Sequence, residues 1–275
     1  MVEMRRAALT LAVAAALAAA GAAWSVGPDL PAFARGTLAA ADGARYAVAA
    51  GAATTTVRKV VDGRTVATAR IAGRYGLQMV TLRGDLAGLS ADGRTLVLSG
   101  NLTANGQLRT HSSLAVLDTR TLTVIRRISL RGDYSVDALS PTGRTLYLIH
   151  HVGGSDISSY RVNAYDLAAG RLLPRVIADK RQAGWTMSGL PVARAESAGG
   201  GWVYTLYQQG GNYPFVHALD TAHRLAVCIG LPLDWRQQWI SRARLVLANG
   251  KLEVRTPSGR TRAVLDTATF AVSTK

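Results

Sequence analysis

Short apolar runs separated by polar turns set the rhythm of this chain. Leu96-Val97-Leu98, Leu114-Ala115-Val116-Leu117, Leu146-Tyr147-Leu148 and Phe215-Val216-His217-Ala218-Leu219 are each a few residues long and bounded by Gly, Asp, Ser or Thr. Runs of this length, flanked by turn formers, predict β-strands. Where Asp-Gly or Thr-Gly precedes a run, as at Asp92-Gly93 and Thr142-Gly143, Gly supplies a positive φ at no steric cost and closes a hairpin.

The turns recur at a fixed interval. Gly43, Gly93 and Gly143 lie fifty residues apart, and Gly199-Gly200-Gly201-Trp202 and Asn249-Gly250-Lys251-Leu252 are weaker echoes. A second turn follows each third strand, at Asp118-Thr119, Asp166-Leu167 and Asp220-Thr221. Asp62-Gly63 and Asp266-Thr267 hold the same place in the first and last repeats. Asp at a turn start can accept the N–H two residues on. A period of about 40–50 residues with four strands per period is that of a propeller blade. The pattern predicts an all-β chain, a β-propeller of about five four-stranded blades, over roughly 37–84, 85–132, 133–183, 184–234 and 235–275. Strand order places the loops between second and third strands on the same face as those between blades. Its long loops are expected over Ser99–Ser113, His150–Ser159 and Gln208–Pro214.

The beginning of the chain breaks this rhythm. Arg5 and Arg6 precede an uncharged, alanine-rich run from Ala7 to Val26, with Gly21-Ala22-Ala23 supplying small residues suited to a signal peptidase. Residues 1–23 are expected to be a signal peptide, the alternative being a retained membrane anchor, and 24–36 a linker. The rest would then be secreted or lie in the cell envelope. Cys228 is the sole cysteine, so no internal disulfide is available. Within Leu225-Ala226-Val227-Cys228-Ile229 it reads as a small inert core residue.

Charge narrows the partners without naming one. The chain carries +15, or +14 once Glu3, Arg5 and Arg6 are removed, which suits a protein or an anionic envelope polymer. The cations are mostly arginine and scattered, with no basic run interleaved with aromatics, so nucleic acid is not favoured. A membrane would be met only through an uncleaved N-terminal segment, and a small-molecule ligand stays open.

The segment Leu114-Ala-Val-Leu-Asp118-Thr119-Arg-Thr-Leu-Thr-Val124, followed by Ala138-Leu-Ser140-Pro141-Thr-Gly143-Arg144-Thr145-Leu146-Tyr147-Leu148, resembles the YVTN-type propeller repeat. The resemblance is close in the second and third repeats, partial in the fourth and thin in the first and fifth. It implies an exported bacterial or archaeal propeller and transfers no catalytic motif.

Candidate chemistry gathers between the blades. Leu82-Arg83-Gly84-Asp85 recurs as Leu130-Arg131-Gly132-Asp133, and Ala178-Asp179-Lys180-Arg181 and Leu233-Asp234-Trp235-Arg236 fall in similar places. Asp85, Asp133 and Asp234, with Arg83, Arg131 and Arg236, could ring one mouth of the channel and hold a polar ligand. Alternatively each Asp caps its loop and pairs with a neighbouring Arg. His150, His151 and Asp156 suggest a metal. Adjacent residues on a strand point to opposite faces, however, so no metal is assigned if the strand runs through both histidines. Gln208, Gln209 and Tyr213 complete the ligand-binding candidates. Trp185, Trp202, Trp235 and Trp239, with Tyr204, Tyr207 and Tyr213, could stack on a sugar or quinone but read as fillers of the gaps between blades, and His217 as a packed core histidine.

Carboxylates are scarce, Glu196 and Glu253 being the only glutamates after the leader, and no nucleophile elbow, phosphate loop or His-Glu-x-x-His occurs. The sequence therefore points to a non-enzymatic exported binding module, or scaffold, with no cofactor. It would use its long-loop face on a protein or envelope component. The alternative is a propeller hydrolase or lyase acting on lactone-type small molecules.

Overall fold

A computed structural model describes residues 36–100, 108–154, 156–179, 186–209 and 212–275, the side chains of 156 and 157 excepted. Residues 1–35, where a signal peptide or anchor and most of a linker are expected, Lys180, Arg181, Trp185 and the Asp156 side chain lie outside the described residues. No helix among the described residues is long and apolar enough to cross a membrane.

The described chain is a β-propeller of five blades, each drawn from one contiguous stretch. Blade one is β1 (Gly36–Ala39), β2 (Arg45–Ala50), β3 (Thr54–Val61) and β4 (Arg64–Ala72), paired antiparallel in chain order. A linker carrying β5 (Gln78–Met79) then leads to β6 (Leu86–Ala87), with which β5 pairs. Blade two continues through β7 (Thr95–Ser99), β8 (His111–Asp118) and β9 (Thr123–Arg131). The β6 stretch is tied to β7 by the Val97 N–H, which donates to the Gly88 carbonyl at 2.6 Å.

Blade three is β10 (Asp133–Leu139), β11 (Thr145–Gly153), β12 (Asp156–Asp166) and β13 (Arg171–Ile177), with β14 (Met187–Ser188) added beside β12. Blade four is β15 (Leu190–Glu196), β16 (Trp202–Gln208), β17 (Phe215–Asp220) and β18 (Leu225–Gly230). Blade five is β19 (Arg244–Ala248), β20 (Lys251–Arg255), β21 (Thr261–Asp266) and β22 (Val272–Thr274).

The turns form for the reasons the sequence gives. Gly43, Gly93 and Gly143 take φ of 83°, 69° and 67°, a left-handed conformation that costs side-chain-bearing residues about 1–2 kcal/mol. The Asp118 carboxylate accepts the Arg120 N–H at 2.7 Å, and Asp166, Asp220 and Asp266 accept the corresponding N–H at 2.9, 3.0 and 3.1 Å. Where Thr follows Asp its hydroxyl donates across the blade to a glycine carbonyl, as Thr119 does to Gly93 and Thr267 to Gly250.

One expectation needs correcting. His150–Ser159 is not a long loop, because β11 runs to Gly153 and β12 starts at Asp156, making a protruding hairpin with a two-residue connection.

Apolar side chains are buried mainly between blades. Tyr46, Leu77, Leu96, Leu98 and Leu117 join blades one and two, and Val97, Leu114, Val136 and Leu148 join two and three. Tyr147, Tyr160, Val203 and Leu219 join three and four, while Val192, Leu206, Leu252 and Leu265 join four and five. Each fully buried Leu contributes about 1.5–3 kcal/mol relative to exposure.

Candidate functional site

The inner strands of blades three and four share an irregularity that shapes the mouth between them. In β10 the register skips Asp137, and in β15 it skips Val192, so each strand carries a β-bulge, two residues farther from the turn in β15. A bulge puts two successive residues against one partner and re-aims their side chains. Val192 and Ala193 accordingly both pack toward blade five. In blade three the equivalent extra residue is an acid, and it meets an arginine from blade four. The Arg194 Nη1 donates to the Asp137 carboxylate at 2.8 Å and its Nη2 to the Asp137 carbonyl at 2.7 Å. Its Nε reaches Glu196 at 2.9 Å. The Arg194 and Asp137 side chains are only 4% and 7% exposed. Burial opposes the Arg194 charge, but Asp137 and Glu196 outweigh it and raise its pKa.

Beside this pair lies a pocket of about 60 Å³, framed by Gln78–Val80 of the linker, the start of β10, and Gly189–Pro191 at the entrance to β15. By volume it admits roughly four or five waters, or one small polar group. The Leu82 N–H donates to the Pro191 carbonyl at 2.8 Å and fastens the linker across to blade four. Asp133 enters the pocket and is buried. It is held by Arg109, whose backbone N–H reaches Oδ2 at 3.0 Å and whose guanidinium makes a close ion pair with Oδ1. The same guanidinium donates to the Tyr134 carbonyl and to Ser135. Burial lowers the Arg109 pKa, and Asp133 works against that shift.

The register of β10 against β11 sorts the two histidines. Asp133 faces His151 and Tyr134 faces His150. His151 lines the pocket, while His150 stacks on the Tyr134 ring at 4.1 Å and 11°. The strand therefore runs through both, and they serve different surroundings. Burial, followed by His151 and Arg161, lowers the His150 pKa, with Asp133 partly opposing. Tyr160 and Tyr207 close the floor with stacked rings 5.2 Å apart, and burial pushes both phenols up.

The remaining sequence candidates do not converge on this pocket. Asp85 accepts from the Thr81 hydroxyl at 2.6 Å and closes its own turn, and Asp234 accepts the Arg236 N–H at 3.0 Å. Arg83 is exposed and donates to the Arg242 carbonyl. Arg236 lies over the Trp235 ring at 5.4 Å, and Arg131 ends β9 on the surface. Asp133 thus pairs with Arg109 and not with Arg131. Gln208 pairs with Leu190 at the end of β16, Gln209 follows it half-buried, and Tyr213 is 67% exposed.

Among the residues that the sequence left unmarked, Arg109, Asp137 and Tyr160 line the pocket and Arg194 holds Asp137 beside it. A signal was present. Asp137 interrupts the apolar run Val136–Leu139, and Arg194 interrupts Val192–Ala195; charges inside buried strands mark paired sites.

Fold and mouth together define a small β-propeller with a mostly apolar pocket between blades that holds the Asp133–Arg109 pair. No family model and no curated protein matches the chain. Among solved structures it is similar to Kuenenia stuttgartiensis hydrazine synthase at 19% identity and TM-score 0.45, over 68% of this chain and 52% of that one. It is also similar to TolB from Acinetobacter baumannii at 13% identity and TM-score 0.45, over 86% and 53%. A third likeness is to a putative 6-phosphogluconolactonase from Bacteroides uniformis, at 13% identity and TM-score 0.47 over 84% and 66%. The chain spans about half the length of the first two. The propeller assignment itself rests on the sheets described above.

Proposed function

We propose that this chain is an exported binding module built on YVTN-type repeats. Its face carrying the pocket and the β11–β12 hairpin holds a protein or an anionic envelope polymer. The observation that supports this reading is the state of the mouth's carboxylates. Asp133 is locked to Arg109 and Asp137 to Arg194. Each carboxylate is already committed to a guanidinium, so neither can serve a lactone as acid or base without breaking its pair. The pocket is also small, about 60 Å³, the size of a side-chain tip or chain end, not of a whole ring substrate. Fixed charges in a dry recess are suited to recognition, because they need no reorganisation when a partner group enters.

The test uses the full chain immobilised in moderate salt and exposed to an envelope fraction. A second sample has residues 152–157 replaced by an Asn-Gly turn, with its melting curve checked against the parent. A discrete protein or polymer held by the parent and released by the trimmed hairpin supports the reading. Retention that ignores the hairpin, no specific retention, or turnover of a lactone by the parent overturns it.

A further inference from the structure

Between blades three and four, behind the Tyr207 ring, three soft donor atoms meet. Cys228 on β18 and His217 on β17 are direct cross-strand partners, so their side chains share a face. That face is the one packed against Tyr160 and Met187 of blade three. The Cys228 Sγ lies 3.5 Å from the His217 Nδ1 and 3.8 Å from the Met187 Sδ. His217 is 2% exposed, and its Nε2 has no hydrogen-bond partner. The ring can therefore reorient toward a ligand at Nδ1 without breaking a bond on its far side. Cys228 is half-buried on the outermost strand of the blade, which gives a path from the surface.

We propose that Cys228, Met187 and His217 form a binding site for one Cu(I) ion, in trigonal sulfur–sulfur–nitrogen coordination. The spacing carries the proposal. Metal bonds of roughly 2.0 Å to nitrogen and 2.3 Å to sulfur, set 120° apart, separate N from S by about 3.7 Å and S from S by about 4.0 Å. The observed 3.5 and 3.8 Å need the two edges at Cys228 to open by about 0.2 Å, within the tolerance of a formed site. Donor chemistry selects the metal. Thiolate and thioether are soft ligands that favour Cu(I), whereas calcium, magnesium and manganese want oxygen. Zinc would want four donors of harder character. Among the described residues no group of three His, Cys, Asp or Glu could hold a metal ion, so the thioether is what completes this set.

Charge points the same way. The Cys228 thiol loses its proton to solvent as the Cu–S bond forms, so monovalent copper and one thiolate make a neutral unit. A neutral unit can sit between apolar blades at little desolvation cost. No change of oxidation state is involved. The site stands apart from the binding reading above, since it uses neither the hairpin nor the Asp133 pair.

The test is anaerobic transfer of Cu(I) from its complex with the coloured chelator bathocuproine disulfonate to the full chain. One equivalent is expected to leave the chelator, and X-ray absorption of the product should show two sulfurs and one nitrogen. Cys228→Ser should fall to background. Met187→Leu, close in volume, should keep the metal-free melting temperature yet weaken binding by at least the roughly 10–100-fold that losing even an outer-shell partner costs. No uptake by the parent, equal uptake by both variants, or a coordination shell with one sulfur or none would each overturn the proposal.

Discussion

Arg194 and Asp137 form a buried ion pair across the junction of blades three and four, a junction otherwise packed with apolar side chains. Arg194→Leu removes the guanidinium and strands the Asp137 carboxylate at 7% exposure. Breaking a buried pair from one side costs about 3–5 kcal/mol. At about 2–4 °C per kcal/mol for a chain of this size, the melting temperature should drop by roughly 10 °C. Asp137→Val should cost less, because Arg194 keeps Glu196 at 2.9 Å and the residue 137 carbonyl at 2.7 Å. The double variant Asp137→Val with Arg194→Leu replaces the pair by two apolar side chains. It should match the parent or exceed it, by up to about 1–4 kcal/mol. Reversible urea unfolding of all four chains closes the cycle. Single-variant costs under about 1 kcal/mol, or a double variant as weak as the sum of the singles, would refute the reasoning.

Three further outcomes follow from local geometry. Gly43→Ala meets nothing within 4 Å, whereas a Cβ on Gly143 falls 2.4 Å from the Thr95 hydroxyl. Both pay the left-handed penalty of about 1–2 kcal/mol, and Gly143→Ala should cost at least about 1 kcal/mol more through overpacking, as urea midpoints will read. Thr119→Val leaves the Gly93 carbonyl without its buried hydroxyl donor and should lower stability by about 1–3 kcal/mol in the same assay. Burial lowers the His150 and His217 pKa values, so the unfolded chain binds more protons below the free imidazole value of about 6.5. Stability should hold above that value and fall with pH below it, and His150→Gln should flatten part of the slope in denaturant melts between about pH 7 and pH 5.

The turns were legible in the sequence because they are local. Gly93 needs its positive φ and Asp118 finds its acceptor role two residues away, so a short window holds the whole cause. The mouth was not. Asp133 was expected to pair with a nearby arginine, but Arg131 ends on the surface while Arg109, twenty-four residues upstream, is brought in by the return of β8 beside β9. Asp137 reaches Arg194 only because a bulge turns it toward the next blade, and no composition or spacing announces a bulge. The length of the β11–β12 hairpin was missed for a related reason. His150, His151 and Gly153 look like loop residues, yet cross-strand pairing with Arg161, Tyr160 and Asp156 extends the ladder through them.

The shared clusters of apolar side chains run from each blade to the next in chain order, and among the described residues none joins blade five to blade one. Nor do the two ends contribute strands to a common sheet. The apolar junctions described thus couple sequence neighbours, as in a repeat array. Losing a terminal repeat would forfeit one junction and leave the others standing. Losing a middle repeat would forfeit two and bring together faces that were never matched. Growth or shrinkage by whole repeats is thus tolerated at the extremities, and the junction between blades three and four, where the charged pair and the soft-donor trio lie, is sheltered from it on both sides.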